Sequence, residues 1–135
     1  MPGYSGTPLP KKLGIKAGFR VRLANAPAEV RAELRQALAE GSVAKDGGAL
    51  DFAMIFTKSR EQLTKEFPRM ATLLAPAGMV WVSWPKKSSG VATDLDENEV
   101  RGIGLDAGLV DVKVCAVTEI WSGLKFVRRV KDRKA

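Results

Sequence analysis

The chain has 135 residues, 45% of them hydrophobic, which is enough for one domain with a buried core and cramped for two. Its 22 basic and 15 acidic residues give a net charge of +7, which favours acidic partners such as nucleic acid or phosphorylated ligands, or serves solubility alone. The lack of histidine and the single cysteine, Cys115, exclude an intrachain disulfide, histidine-dependent nucleophile pairs and most zinc sites.

The N-terminal sequence is rich in Pro, Gly, Ser and Thr and has no apolar run of the kind that a signal peptide needs. No other stretch approaches the roughly 20 apolar residues required to cross a membrane. We therefore expect a cytoplasmic protein with no membrane association. The sequence leaves the oligomeric state open, and a homodimer is compatible with it.

The first segment, residues 1–17, is predicted to be an N-terminal arm, in which residues 11–15 form one helical turn ended by Gly14. A strand follows over residues 19–24, where three apolar residues alternate with two arginines. Such alternation is typical of a strand with one covered face.

Pro27 suits the first position of a helix, where a missing N–H costs nothing. The inner face of this helix is expected to be Val30, Leu34, Ala37 and Leu38. Gly41 is predicted to end it in the left-handed conformation. Residues 42–45 are then predicted to be a short edge strand, and residues 46–48 a turn.

The next segment has the pattern of strand, helix and strand, with nearly continuous apolar runs over residues 50–57 and 79–84. Ser59 and Gln62 match a capping box, in which each side chain satisfies a backbone N–H near the helix start. Pro68 lies inside the helical pattern and removes one hydrogen bond, so a kink or break is expected just before it. The two strands of this crossover unit are expected to be parallel neighbours.

Residues 85–94 are predicted to be a loop, after which Asp96 or its rival Thr93 caps a third amphipathic helix. Two strands follow, over residues 109–118 and 124–130. Because the connection between them is short, they must form an antiparallel hairpin.

This order of elements predicts an α/β fold built as a three-layer open sheet, mostly parallel, with a C-terminal antiparallel hairpin. The single domain is predicted to cover residues 18–131, between the arm and a charged tail at residues 132–135.

Three groups of residues carry a family resemblance. They are Gly3-Tyr4-Ser5-Gly6-Thr7-Pro8-Leu9, then Trp84-Pro85-Lys86-Lys87-Ser88-Ser89-Gly90, and Gly108-Leu109-Val110-Asp111 with Trp121-Ser122-Gly123-Leu124. In these motifs the chain resembles a bacterial family of small proteins of unknown function. The order from residue 50 onward, with Leu73-Leu74-Ala75-Pro76-Ala77-Gly78 before an apolar strand, also resembles the C-terminal part of class I S-adenosylmethionine-dependent methyltransferases. That likeness implies a Rossmann-like fold, similar to a truncated methyltransferase whose second and third strands are shortened or lost.

The same resemblance implies a cofactor pocket from which this sequence departs. Methyltransferases of this class place a Gly-rich turn after the first strand and an acidic residue after the second. Here the turn is Ala24-Asn25-Ala26-Pro27-Ala28, so side chains and a rigid proline are expected to fill the space of the cofactor. Asp46 stands near the acidic position, but an Asp before two glycines is more typical of a turn. We therefore expect no cofactor.

The strongest candidate site is the loop after the second apolar strand of the crossover unit. Ligands bind at the carboxyl ends of strands in open α/β sheets, and two cations, two hydroxyls and a glycine are the parts of an anion-binding concavity. The candidate residues are Lys86, Lys87, Ser88, Ser89 and Gly90, joined from the arm by Lys11 and Lys12 and from the first strand end by Asn25. The alternatives are solvated lysines and, for Asn25, a cap on the first helix, which is the preferred interpretation of that residue.

Other conspicuous residues have plainer explanations. Cys115 is expected to be a buried inert thiol, Trp81 and Trp84 core residues, and Trp121 a hydrophobic plug rather than an exposed contact surface. The basic C-terminal residues are expected to solubilise the chain rather than follow a phosphate backbone. These are Arg128, Arg129, Lys131, Arg133 and Lys134.

The preferred functional hypothesis is a non-catalytic binding or interaction module on a methyltransferase-like scaffold. Its ligand would be an anionic small molecule or an acidic protein partner at the loop of residues 86–90. A transferase with an altered cofactor pocket is one alternative, and a weak nucleic-acid binder is another. The sequence offers no catalytic residue and no metal ligand to assign.

Overall fold

The computed structural model describes residues 7–43 and 49–133. Within them, six strands form one sheet in the order β2-β1-β3-β4-β6-β5. The strands are β1 Arg20–Ala24, β2 Ser42–Val43, β3 Leu50–Phe56, β4 Leu74–Pro85, β5 Leu109–Ala116 and β6 Trp121–Arg128. Strands β1 to β4 are parallel, and β6 lies antiparallel between β4 and β5. The mostly parallel sheet with its closing hairpin is confirmed.

Helices cover both faces of the sheet. In the part of the chain that the structure describes, they are α1 Leu9–Leu13, α2 Ala28–Ala39, α3 Arg60–Thr72 and α4 Glu97–Asp106. α1 and α2 pack on one face, here called the α1–α2 face, and α3 and α4 pack on the other, here called the α3–α4 face. The predicted three layers are therefore confirmed. None of these helices has the length and apolarity that a membrane span requires.

The crossover unit sits at the centre of the sheet, as the sequence predicted. Phe52 of β3 is the register partner of Met79 of β4, and the two strands run in the same direction. The pairing shifts between Leu50 and Phe52, so the start of β4 contains an irregular bulge where the sequence predicted only the end of a helix. A Cβ on Gly78 would overlap the carbonyl oxygen of Leu50, which explains the glycine in this bulge.

Two predictions about α2 are corrected. Pro27 occupies the N-cap, one residue before the helix begins, rather than the first helical position. α2 ends at a right-handed cap on Glu40, and Gly41 has no positive φ. A Cβ on Gly41 would lie 2.5 Å from the carbonyl oxygen of Phe19, so this glycine permits close approach to the start of β1 instead of a left-handed turn.

Two predictions about α3 are corrected as well. The helix is continuous across Pro68, so the expected break is wrong. The capping box is half formed. The Ser59 hydroxyl accepts from the Gln62 backbone N–H at 3.1 Å. The Ser59 N–H, however, donates to the Thr57 hydroxyl at 3.1 Å rather than to Gln62.

Part of the N-terminal arm belongs to the core. Leu9, Leu13 and Ile15 are buried on the α1–α2 face, and the indole Nε1 of Trp81 donates to the carbonyl oxygen of Leu13 at 2.9 Å. The predicted turn at Gly14 is confirmed, since its φ is +86°. The predictions for residues 44–48, and those for Tyr4 and Lys134, lie outside the described residues.

Candidate functional site

A crevice opens at the carboxyl ends of the parallel strands. From β1 the chain passes to β2 on one side and then to β3 on the other, so the strand order reverses between β1 and β3. Open α/β sheets bind ligands at such switch points, because the connections diverge there. The cavity measures about 280 Å³. It is lined by Asn25, Phe56, Thr57, Lys58, Ser59, Gln62 and Trp121. We call it the switch-point crevice.

Asn25 forms the β1 side of the switch-point crevice. Its backbone is left-handed, with a φ of 62°, a conformation that Asn adopts more readily than most residues. The side-chain Nδ2 donates to the carbonyl oxygen of Phe56 at 3.4 Å, which joins the ends of β1 and β3. The preferred prediction, that Asn25 caps the first helix, is wrong, because α2 has Pro27 at its N-cap and no side-chain cap bond.

The β3 side of the crevice is a polar network that follows the buried strand. The Thr57 hydroxyl donates to Oε1 of Gln62 at 2.9 Å and accepts from the Ser59 N–H. Thr57 is itself buried, and its backbone N–H continues the sheet by donating to Ser83 at 3.1 Å. This network fixes the first turn of α3, with the exposed Lys58 between its members at the mouth of the cavity.

An aromatic pair forms the floor of the crevice. The rings of Phe56 and Trp121 meet edge to face, with centroids 5.4 Å apart and an interplanar angle of 79°. Trp121 is only 9% exposed, so the prediction of a hydrophobic plug is confirmed. The predictions of core positions for Trp81 and Trp84 are also confirmed. The site thus combines a rigid apolar floor with polar groups above it, the usual composition of a small-molecule pocket.

The predicted anion loop lies beside this crevice, but most of its hydrogen-bonding groups are bound to one another. Residues Lys87–Ser89 form one tight helical turn, and Gly90 follows with a φ of +77°. The carbonyl oxygen of Lys86 accepts from both the hydroxyl and the N–H of Ser89, at 2.6 and 3.1 Å. The Gly90 N–H donates to Lys87, and the Val91 N–H to the Ser89 hydroxyl. These groups are therefore not turned outward as an anion-binding concavity. Only the side chains of Lys86, Lys87 and Ser88 would then remain to contact an anion.

The segment after this loop is bound to the rim of the crevice. The Thr93 hydroxyl donates to the carbonyl oxygen of Lys58 at 2.6 Å, and Asp94 accepts from the Arg60 N–H at 2.8 Å. Asp96 rather than Thr93 caps α4, by accepting from the Glu99 N–H at 2.8 Å. Because carboxylates already occupy the starts of α3 and α4, neither terminus presents an open positive end to a ligand.

Lys11 and Lys12 do not join the loop of residues 86–90. The carbonyl oxygen of Lys12 accepts from Nζ of Lys113 at 3.1 Å. Gly14, two residues further on, would place a Cβ atom 3.6 Å from the Met79 side chain. Met79 is at the opposite end of the paired part of β4 from the loop, so α1 carries its two lysines over the α1–α2 face instead.

Two other candidates have structural explanations. Cys115 is half-buried rather than fully buried, and its burial raises the pKa of the thiol, while the charges of Lys12 and Lys113 partly offset the rise. A raised pKa makes a thiol less reactive, in keeping with the expected inert residue. Arg128 donates through Nη2 to the carbonyl oxygens of Ala71 and Leu74, at 2.8 and 3.1 Å, so it stabilises the end of α3.

Sequence reasoning missed Thr57 and Lys58 and treated Gln62 only as a capping residue. A signal was present, because a Thr-Lys-Ser sequence follows a fully buried strand directly. That strand, β3, is the neighbour of β1 in the sheet, so its carboxyl end lies at the switch point. The loop after β4 attracted the prediction because it holds more cations, although it lies one strand further away.

Comparison with solved structures identifies the fold. Magnesium protoporphyrin IX methyltransferase (ChlM) from Synechocystis PCC 6803, with bound SAH, has a TM-score of 0.60 at 16% identity, over 89% of this chain and 78% of that one. The mitomycin 7-O-methyltransferase MmcR has a TM-score of 0.60 at 11% identity, over 90% of this chain and 53% of that one. Aeropyrum pernix fibrillarin, with natively bound S-adenosyl-L-methionine, has a TM-score of 0.53 at 14% identity, over 93% and 70%.

At these identities the likeness establishes the fold alone. The chain has a Rossmann-like, class I methyltransferase-like fold, in a form shorter than these enzymes. No protein-family model matches the sequence, and no curated protein sequence matches it either.

Proposed function

We propose that this protein is a non-catalytic binding module, in which a methyltransferase-like scaffold holds a small anionic molecule in the switch-point crevice. The observation that carries the proposal is the position of Asn25. In the class I methyltransferases that the sequence resembles, a Gly-rich turn lets the backbone approach the cofactor at the end of the first strand. Here that turn carries the side chain of Asn25, whose amide donates to the carbonyl oxygen of Phe56 and so joins the ends of the neighbouring strands β1 and β3.

The size of the crevice supports a small ligand. At about 280 Å³ it lies just below the range of roughly 300–1,000 Å³ that is common for ligand sites. The family that the sequence resembles has glycines in the first turn, where the backbone approaches the cofactor, whereas this turn carries the side chain of Asn25 and the ring of Pro27.

The chemistry of the lining favours binding over proton transfer. Among the described residues around the crevice, the polar groups are two amides, two hydroxyls and the ammonium of Lys58. The Thr57 hydroxyl and the Gln62 Oε1 bind each other. The orientation of a ligand therefore depends on the remaining donors and acceptors of Asn25, Ser59 and Gln62, and the ammonium of Lys58 supplies a counter-charge for an anion. Lys86 stands after the adjacent strand, with its N–H bound to Ile120 at 2.8 Å, so a second cation borders the same edge.

The proposal is tested by titrating the protein with S-adenosylmethionine and with its demethylated product, in thermal-shift and calorimetric measurements. A ligand at a hundred times its Kd stabilises a protein by about 2.7 kcal/mol, which moves the melting temperature clearly. We expect no such shift with either compound. A dose-dependent rise would overturn the non-catalytic assignment and favour a transferase with an altered pocket.

The ligand class is tested by protein-observed NMR with a set of small carboxylates and phosphate esters. We expect bound members to shift the Asn25 side-chain amide and the Trp121 indole signals. Lys58→Gln should weaken binding about tenfold, the loss of one charged hydrogen bond, whereas Lys65→Gln, an exposed lysine on the outer side of α3, should leave it unchanged. An affinity that Lys58→Gln did not change, or chemical shift changes confined to other surfaces, would exclude the crevice as the site.

A transferase is the second candidate, favoured by the bound states of the similar structures. Both the ChlM structure and the Aeropyrum pernix fibrillarin structure contain a form of the methyl-donor cofactor. For this chain, Asn25→Gly gives the discriminating measurement, because it removes the side chain that crosses the switch point. If the variant gains cofactor binding that the natural chain lacks, the scaffold retains the remainder of a cofactor site.

A further inference from the structure

Two lysines stand directly opposite each other on the α1–α2 face of the hairpin. Lys113 of β5 is the register partner of Lys125 of β6. Lys125 pairs in turn with Trp81 of β4, whose ring lies in the core of this face. Opposite residues of an antiparallel pair have their Cβ atoms about 5 Å apart on the same face. Two ammonium-bearing side chains therefore leave the sheet next to each other.

α1 brings a third lysine to this pair. Nζ of Lys113 donates to the carbonyl oxygen of Lys12 at 3.1 Å. Nζ of Lys125 lies 4.0 Å from the position that a Cβ would take on Gly14, the residue that ends the helix. The charges of Lys12 and Lys113 also act together on the thiol of Cys115. We call Lys12, Lys113 and Lys125 the lysine cluster.

The described part of the chain supplies no counter-charge to the two strand lysines. Within residues 7–43 and 49–133, no carboxylate pairs with Lys113 or Lys125. The carbonyl group that Lys113 binds is neutral. The pKa of Lys125 is lowered, first by burial and then by the positive charge of Lys113. Like charges placed directly opposite each other destabilise a sheet, so this arrangement costs stability by itself.

A purely structural role explains only one member of the pair. Lys113 satisfies a backbone carbonyl at the C-terminal end of α1, a common position for a cation. Lys125 is half-buried beside the same helix end, where an uncharged side chain of similar length would pack without the cost of desolvating an ammonium group. A residue type that is costly for folding at its position is expected to have another use.

We infer that the lysine cluster is a binding site for the phosphate group of a small molecule. A phosphate group carries more than one negative charge and several acceptor oxygens, so it can bridge two neighbouring ammonium groups and accept from a third. Lys113 and Lys125 hold it from adjacent strands, beside the C-terminal end of α1, where Lys12 adds positive charge. The site lies on the α1–α2 face and is independent of the switch-point crevice.

The test uses inorganic phosphate and pyrophosphate as probes, at an ionic strength kept constant with chloride. In the NMR spectrum of the full chain, we expect the amides of Lys113 and Lys125 and of residues 12–14 to shift with a common saturation curve. Lys113→Gln combined with Lys125→Gln should weaken binding by at least a hundredfold. The control, Lys65→Gln with Lys131→Gln, removes the same charge from exposed positions elsewhere and should change affinity less than twofold.

Two further measurements keep the inference falsifiable. Lys58→Gln, in the switch-point crevice, should leave these shifts intact, which separates this site from the proposed function. If the double variant fails to fold, the spectrum of the natural chain decides, because phosphate shifts that map only elsewhere, such as to the switch-point crevice, would overturn the site. An effect of phosphate no larger than that of chloride would also overturn it, as would shifts produced only by an oligonucleotide and not by the small anions.

Discussion

The two faces of the sheet are covered to different degrees. On the α3–α4 face, the helices meet an uninterrupted apolar core, and the rings of Phe67 and Phe126 pack edge to face at 5.2 Å. Both helices there begin at side-chain caps, Ser59 and Asp96. On the α1–α2 face, α1 spans five residues and neither helix has a side-chain cap bond. The first face also has a pocket, of about 230 Å³, whose lining includes the Arg60–Glu99 ion pair. On the second face, Lys113 and Lys125 lie opposite each other with no carboxylate paired to them among the described residues.

This difference separates the residues that maintain the fold from those available for binding. The α3–α4 face has its polar groups engaged in caps and ion pairs, such as Arg101 with Asp111 at 2.9 Å. The floor of the switch-point crevice, Phe56 and Trp121, belongs to the α1–α2 face, although the start of α3 lines the other side of the crevice. The lysine cluster lies on the same face, beside α1. Substitutions of packed and capping residues should consequently destabilise the first face, whereas on the second face the removal of a half-buried cation should increase stability.

The largest expected effect is on the α3–α4 face. Phe67→Ala removes a fully buried ring and its contact with Phe126, and should lower the free energy of unfolding by about 4 kcal/mol. Denaturant unfolding measures the loss. Trp121→Ala on the α1–α2 face is the matched aromatic truncation, and it should cost less because its ring borders an open cavity. Equal losses would contradict the difference between the faces.

A smaller loss is expected where α4 meets the hairpin. A Cβ on Gly104 would overlap the ring of Phe126, so Gly104→Ala forces the helix or the ring to move and should cost about 2 kcal/mol. Gly102→Ala, in the same helix, has open space at its Cβ and should be neutral or stabilising by up to about 1 kcal/mol. Thermal unfolding of the two variants gives the comparison, and the reverse order would show that Gly104 is not packed as described.

The N-cap side chains should stabilise the protein by about the amount that is typical of single helix caps. Asp96→Ala leaves the Glu99 N–H without its acceptor and should destabilise the protein by about 1 kcal/mol. Asp96→Asn keeps the acceptor and should retain most of that stability. If both variants lost the same amount, the charge of Asp96 rather than its hydrogen bond would be the source.

The smallest effect has the opposite sign and is on the α1–α2 face. Lys125→Met removes a half-buried cation opposite Lys113 and should increase stability by about 0.5 kcal/mol at neutral pH. Because the pKa of Lys125 is lowered in the folded state, the unfolded chain binds more protons, and wild-type stability should rise with pH. This increase in stability occurs at pH values between the lowered pKa of the folded state and the ordinary value of 10.5.

The advantage of Lys125→Met should therefore shrink as the pH rises through that window. Urea unfolding of both proteins between neutral and alkaline pH measures this difference in stability, with Lys65→Met as the exposed control. The charge of Lys113 acts both on Lys125 and on the thiol of Cys115, so the difference between the two proteins is the quantity to compare. A constant difference across the window would contradict the assigned electrostatic origin.

The fold was largely predictable from the sequence, but of the residues that line the candidate crevice only Asn25 was among the predicted site residues. The apolar run that ends at Phe56 and the one before Pro85 indicated two buried parallel strands, because strands covered on both faces need continuous apolar residues. Asn25 was misread as a helix cap, since local rules treat any Asn before a helix as a cap. Its partner, the Phe56 carbonyl, is 31 residues away and has no signature in the sequence.

The lysines show the same limit. Composition indicated an anion site, and the local richness of residues 86–90 in cations and hydroxyls suggested where it would be. Yet the hydroxyl and N–H groups of that loop bind one another, a choice that depends on the single helical turn at Lys87–Ser89. Lys12 and Lys113, which do meet, are 101 positions apart.

Hydrophobic periodicity and the positions of Pro and Gly thus determined the order of strands and helices, because these signals act over a few neighbouring residues. They also determined that the central unit is a parallel crossover, since an intervening helix permits no tight hairpin. Tertiary structure alone decided which polar groups share a cavity and which charges oppose each other. Strand register and helix docking set those distances, and both are fixed by packing between segments that are remote in the chain.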